Sequence, residues 1–203
     1  MLPNEEKLDP RVKRTRQLLT QAFMDLLAEK SLQSITVQDI TGRAAVNRAT
    51  FYAHFEDKYA LLSYIIREDF HTALQNKLPS GAALSLGNLR LLILAVWEFL
   101  TRFHSGCHPS DKQFEPMIEA QVQTELCEFI LNWIEPVYIR DGDSLTEPRI
   151  TASVMSWAIF GVGMDLSRDK TAQSLERCAD QVLALIAGSV LGAKAGNPMI
   201  PAT

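Results

Sequence analysis

The chain has 203 residues, 47% hydrophobic and 22% charged, with no tract dominated by Gly or Pro. That composition belongs to an ordinary globular protein and excludes disordered, collagen-like and disulfide-scaffold classes. The net charge of −4 excludes a uniformly basic nucleic-acid binder, because neutralising phosphates requires a basic surface.

The charge is unevenly distributed. From Arg11 to Lys58, eight Lys/Arg stand against five acids, which gives that stretch +3 and leaves −7 on the remainder. A basic head on an acidic body fits a nucleic-acid contact, and a solvated charged face is the plainer alternative. The first ten residues are acidic and polar, unlike a secretory signal, and are expected to form a flexible tail. The longest apolar run, Leu89 to Leu100, is broken by Arg90 and Glu98 and falls short of the ~18 residues of a membrane span. No membrane association is therefore expected, and the expected location is cytoplasmic. Three widely spaced cysteines, Cys107, Cys127 and Cys178, form no CxxC pair, so reduced thiols are expected, with neither a disulfide framework nor a zinc site.

Taken in chain order, the apolar positions recur at helical spacing throughout, which predicts an all-α fold of about nine helices. A first helix is expected from about Pro10 to Glu29, with Leu19, Ala22, Phe23, Leu26 and Leu27 inward. Thr36 and Asp39 have capping-box spacing and start a short helix that ends near Ala44. Asn47 caps a very short third helix, and a fourth runs from Asp57 to Leu78, stopped by Pro79-Ser80-Gly81. A loop follows to Gly87, then a strongly apolar helix capped by Asn88, with a breaker cluster at Ser105 to Pro109. Glu115-Pro116 opens a helix that Pro136 should end or kink. The last two helices are expected at about 148–168, capped by Thr146, and 171–191, closed by Gly192. A loose tail at 193–203 should follow.

The most informative constellation lies at about 35–54, where two short capped helices are joined by a tight turn and flanked by longer apolar ones. This is the layout of a helix-turn-helix, whose second helix enters the major groove with its N-terminal residues nearest the bases. Asn47, Arg48 and Thr50 occupy those positions: Arg suits guanine, Asn suits adenine, and Thr offers a methyl to thymine or a hydroxyl to phosphate. Phe51 and Phe55 should anchor the core. Tyr52 and His54 fall where they can reach backbone phosphates. Thr36 and Lys58, at helix N-termini, are candidate phosphate contacts, and Arg43 is a further one.

The run Thr36-Val37-Gln38-Asp39-Ile40, then Ala44-Ala45-Val46-Asn47-Arg48-Ala49-Thr50-Phe51-Tyr52-Ala53-His54-Phe55, followed by Asp57-Lys58 and Leu61-Leu62, resembles the N-terminal domain of the TetR/AcrR (tetracycline-repressor-like) family. The resemblance covers about Arg11 to His71. It implies a three-helix DNA-binding domain at 11–71 and a C-terminal helical bundle at 72–192 for ligand binding and dimerisation. It also implies a homodimeric, sequence-specific regulator, by the family's habit a repressor released from a palindromic operator when a small molecule binds. Ala45 and Ala49 depart from the family's usual glycines. Alanine keeps the turn small and favours helix by up to about 1 kcal/mol over glycine.

The second half permits both implied roles. The small residues Ala158, Gly161 and Gly163 would let helices approach closely across a two-fold axis formed by 148–168 and 171–191. A dimer of that kind presents two recognition helices about 34–36 Å apart to double-stranded DNA. Trp97, Phe103, Met117, Trp133, Tyr138, Met155 and Trp157 are candidate walls of an effector pocket, although taken singly each suits a core better than a ligand contact; the effector itself is not named by the sequence. Control by a protein partner, or no effector at all, is the alternative within the DNA-binding class. From another class, a helical-bundle enzyme would need catalytic signatures, and no Walker loop, GxGxxG, GxSxG, HExxH or Glu-x-x-His pairing occurs. No cofactor or metal is expected. His104, Cys107 and His108 lack the fourth ligand of a structural zinc site, and Cys107 carries no nearby activating group that would mark a redox sensor.

Overall fold

The computed structural model describes residues 9–106, 109–141, 147–168 and 174–188, with the side chains at 106, 109–111 and 138–141 left aside. Among the described residues there are eight α-helices and no strand: α1 (Pro10–Glu29), α2 (Val37–Ala44), α3 (Arg48–Tyr52), α4 (Lys58–Lys77), α5 (Leu86–Gly106), α6 (Glu115–Asp141), α7 (Pro148–Arg168) and α8 (Leu175–Ile186). Two 3-10 turns, Leu32–Ser34 and Pro109–Phe114, were not anticipated. Such turns are too short to show a hydrophobic period.

The first compact unit comprises the described residues up to Glu68 together with the stretch to Ile118 that precedes the body of α6. Its core is the inward stripe of α1 (Leu19, Ala22, Phe23, Leu26) with Leu32, Ile35, Ile40, Phe51 and Leu61, all buried. The caps form as the sequence implies. The Asp39 amide donates to Thr36 Oγ1 at 3.1 Å, while the Thr36 amide donates to Asp39 Oδ2 at 2.8 Å. Asp57 Oδ1 accepts from the amides of Tyr59 and Ala60, at 2.8 Å each, and so caps α4.

The second unit runs from Asp69 to Gly106 and resumes at Glu119. There α5 packs against both α7 and α8, and the fully buried Trp97 donates from Nε1 to the Ile159 carbonyl at 2.8 Å. Arg90 of α5 pairs with Asp180 of α8 at 2.6 Å. The rings of Phe70 and Phe99 meet edge to face, 5.2 Å apart, where α4 crosses α5. His71 Nε2 and Glu125 Oε2 lie 2.8 Å apart between α4 and α6.

Several boundaries differ from the sequence reading. Ser85 caps α5, accepting from the Asn88 amide at 3.2 Å, while Asn88 donates back to the Ala83 carbonyl; the helix therefore starts at Leu86, three residues earlier than a cap at Asn88 implies. Pro136 neither ends nor interrupts α6, which continues to Asp141. The carbonyl one turn before it, on Asn132, loses an N–H partner, but both residues are exposed and water can replace that bond. Ser174 caps α8, accepting from the Arg177 amide, so this helix begins at Leu175 and not near Thr171. Thr146, Leu191 and Gly192 lie outside the described residues. By length and composition α7 is apolar enough to cross a membrane, with 44% of its most apolar window buried. The buried side of α7 holds Ala152, Met155, Ile159 and Phe160, and its opposite side carries exposed Ile150, Val154 and Trp157, the last 58% exposed.

Candidate DNA-binding interface

The recognition helix is positioned from both ends. At the turn before it, Ala45 adopts a left-handed conformation with φ 53°, which breaks α2 and reverses the chain. The Val46 amide returns to the Thr41 carbonyl at 3.1 Å. Asn47 Oδ1 then accepts from the Ala49 amide at 2.9 Å and starts α3. Phe51 is fully buried and Phe55 nearly so, which pins the short helix to the core and turns its other face outward. The expectation that helix propensity favours alanine over glycine is thereby corrected at Ala45: propensity does not govern a residue in the left-handed region, where a Cβ is strained.

On the outward face Asn47, Arg48 and Ala49 are exposed and Thr50 is half-buried. Arg48 lies along its own helix, with Nη2 donating to Tyr52 Oη at 3.1 Å and its guanidinium carbon 5.5 Å from the Tyr52 ring centroid. A cation over an aromatic face is held electrostatically, so the side chain is partly ordered yet accessible. Because Asn47 Oδ1 holds the helix start, the group free to meet a base edge is its Nδ2 amide.

His54 is half-buried against Phe55, ring centroids 6.3 Å apart. Burial, with a lesser contribution from the Arg16 charge, pushes its pKa below the usual histidine value. This environment favours the neutral imidazole over the charged form. Arg16, which the sequence reading placed only in a basic run, stacks over Tyr64 at 5.2 Å and Phe55 at 5.9 Å. It braces the end of the recognition segment from α1. Only the long sequence separation hid this contact.

The other three predicted contacts stand differently. Thr36 is exposed, and its hydroxyl also donates to Asp39 Oδ2 at 2.8 Å. Asp39 in turn pairs with Lys30 at 2.9 Å, and its carboxyl is held far below the ordinary range, first by the Lys30 hydrogen bond and then by Thr36. Arg43 faces Glu29 through two parallel contacts, Nη2 to Oε2 being 2.7 Å. That bidentate fork engages the guanidinium within the protein. Lys58 donates inward to three backbone carbonyls.

In the second unit the pocket candidates are dispersed. Trp97 and Met155 are fully buried, Phe103 is half-buried beside His104, and the ring of Trp133 lies tilted against Phe129 with centroids 5.0 Å apart. Trp157 points outward with Ile150 and Val154. Met117 falls in the first unit, and the side chain of Tyr138 lies outside the described residues. Of the small residues on α7, Gly163 faces inward against Trp97, whereas Gly161 has open space. His104 sits in α5 with its side chain 9% exposed and Nε2 3.3 Å from Glu119, which also accepts from Arg168 at 2.8 Å. Cys107 and His108 lie outside the described residues. Cys127 and Cys178 are not in a disulfide.

Residues 19–65 match the family model described as bacterial regulatory proteins, tetR family. Over 64 residues the chain is 47% identical to the uncharacterized HTH-type transcriptional regulator YxbF of Bacillus subtilis, covering 31% of this chain and 17% of that protein. It is 30% identical over 101 residues to the HTH-type dhaKLM operon transcriptional activator DhaS of Lactococcus lactis, covering 50% of this chain and 52% of that one. The matches thus span no more than about half the length of these curated relatives. In fold the chain resembles Thermus thermophilus FadR, described as a TetR-family transcriptional repressor in complex with lauroyl-CoA. The TM-score is 0.54 at 17% identity, and 93% of this chain and 100% of that one are covered.

Proposed function

We propose that the chain is a sequence-specific DNA-binding regulator of transcription of the tetR family of bacterial regulatory proteins, whose model residues 19–65 match, acting by binding and not by catalysis. The observation that carries this reading is Arg48, exposed on a capped helix whose opposite face is fixed by buried Phe51 and Phe55. Asn47, Arg48 and Thr50 read base edges in the major groove. Tyr52, His54 and Thr36 contact backbone phosphates, and Arg43 reaches the backbone only when it leaves Glu29. The protein works in the bacterial cytoplasm, on the nucleoid.

A homodimer formed through α7 and α8 presents two such helices to the halves of a palindromic operator. The support is the apolar outward face of Ile150, Val154 and Trp157 on α7, together with Leu185 of α8, which is 71% exposed. A small lipophilic or aromatic effector bound in the second unit favours one spacing of the two heads and releases the DNA, so that occupancy of the operator represses transcription. Such a ligand shifts the equilibrium only by its difference in affinity for the two arrangements.

The test is selection of genomic fragments by the purified protein, then titration of the recovered site at fixed salt with wild type and Arg48→Ala. A palindromic site bound about 1–3 kcal/mol more weakly by the variant supports the reading. Weak, salt-labile binding without sequence preference and without loss on mutation refutes it.

A further inference from the structure

Lys58 opens α4, and its Nζ donates to the carbonyls of Leu32 at 2.8 Å, Gln33 at 3.1 Å and Ile35 at 2.8 Å. An ammonium has three N–H donors and no acceptor, so this turn supplies one acceptor for each. The three carbonyls lie on the 3-10 turn between α1 and α2, and Ile35 directly precedes the Thr36 cap. Leu32 and Ile35 are also buried through their side chains, at 2% and 1% exposure. The turn is thus fixed from the core by two apolar side chains and from its edge by one cation.

We propose that Lys58 is a positioning residue for DNA binding, which locks the α1–α2 turn and thereby the Thr36 end of α2, and does not itself contact a phosphate. The inference rests on the DNA-binding reading above. To reach a phosphate, the ammonium would have to abandon three charge-assisted hydrogen bonds, which are stronger than neutral ones. Two of these bonds are part-buried, and buried carbonyls stripped of a partner are unfavourable. The clamp and the phosphate contact also make opposite demands on side-chain shape. A phosphate accepts a guanidinium at least as well as an ammonium. Three carbonyls arranged around one nitrogen suit the compact ammonium and not a planar fork.

The experiment uses the full chain with Lys58→Arg and Lys58→Met, and two readouts. Amide hydrogen exchange of the free protein reports the turn, through the Ile35 amide that donates to the Leu32 carbonyl. Titration of the selected DNA site across a salt series reports binding. The expected result is faster Ile35 exchange in both variants and an affinity loss of about tenfold in both, equivalent to about 1.4 kcal/mol, with the salt slope unchanged. The proposal is overturned if Lys58→Arg binds like wild type while Lys58→Met loses about 0.9 from the salt slope, the signature of one phosphate contact, with exchange unaltered. Should Lys58→Met fail to fold, the arginine variant alone separates the two outcomes. A wild-type chain that selects no DNA sinks the DNA-binding reading and the positioning role with it, while the exchange measurement still decides whether the clamp exists.

Discussion

Gly163 of α7 and Trp97 of α5 touch so closely that a Cβ on Gly163 would lie 2.8 Å from the indole Nε1, closer still to Cδ1, and 2.9 Å from the neighbouring Leu100 methyl. The indole is fully buried and anchored to the Ile159 carbonyl, one turn before Gly163, so it cannot yield. Gly163→Ala is expected to destabilise the fold by about 1–3 kcal/mol through overpacking, read as a lowered urea midpoint. Gly42 of α2 has open space around it, and Gly42→Ala should raise the midpoint, corresponding to a gain in stability of up to about 1 kcal/mol. Equal effects of the two substitutions would contradict this account.

Ala45 sits at φ 53°, a conformation that disfavours any Cβ by roughly 1–2 kcal/mol. Part of that strain is offset because alanine restricts the unfolded chain more than glycine, by about 0.4–1 kcal/mol. Ala45→Gly is expected to stabilise the protein by about 0.5–1 kcal/mol in thermal or denaturant unfolding. A loss of stability would mean that the turn is held differently.

Acid should weaken the start of α2. The Asp39 carboxyl is held below its ordinary value of 3.8 mainly by Lys30 and Thr36, so its contribution to stability is complete above that value and disappears as pH falls beneath it. Glu29, lowered chiefly by its hydrogen bond to Arg43, acts in the same direction. The melting temperature of wild type should therefore exceed that of Asp39→Asn at neutral pH, with the gap closing as pH drops below the ordinary carboxylate range. A gap that widens on acidification would exclude the mechanism.

The outward face of α7 gives a test of assembly. Replacing Trp157, 58% exposed in the single chain, with Arg should leave the melting behaviour of the isolated fold nearly unchanged, since surface substitutions usually fall within about 0.5 kcal/mol. Sedimentation should show a monomer, and DNA binding should weaken because only one half-site is engaged at a time. A dimeric Trp157→Arg protein would place the interface elsewhere.

The elements that could be read from the sequence are those whose causes are local. The span of α1 follows from the recurrence of Leu19, Ala22, Phe23 and Leu26, and the start of α2 from Thr36 and Asp39 three residues apart. Arg48 and its neighbours were legible because the caps around them are legible. What escaped depends on partners far along the chain. The carbonyls held by Lys58 lie 23 to 26 residues away, and Arg16 meets Phe55 and Tyr64 from another helix. Pro136 misled for the opposite reason, since a local rule was overridden where the helix surface is wet. Asn88 misled because Ser85, an equally good cap, lies three residues earlier.

The first unit is stitched from two distant stretches of chain. Phe114, from the 3-10 turn before α6, lies against Tyr59 with ring centroids 5.7 Å apart, and Gln113 reaches Gln33 at 3.4 Å. A fragment cut after His71, which the linear motif invites, would keep Asn47, Arg48 and Thr50 and lose the wall that shelters Tyr59. Such a piece would carry a bare aromatic patch beside the turn that Lys58 grips, so its solubility and its grip on DNA would misrepresent those of the intact chain. Grafting 109–118 back through a short designed linker is the minimal way to make a self-sufficient head.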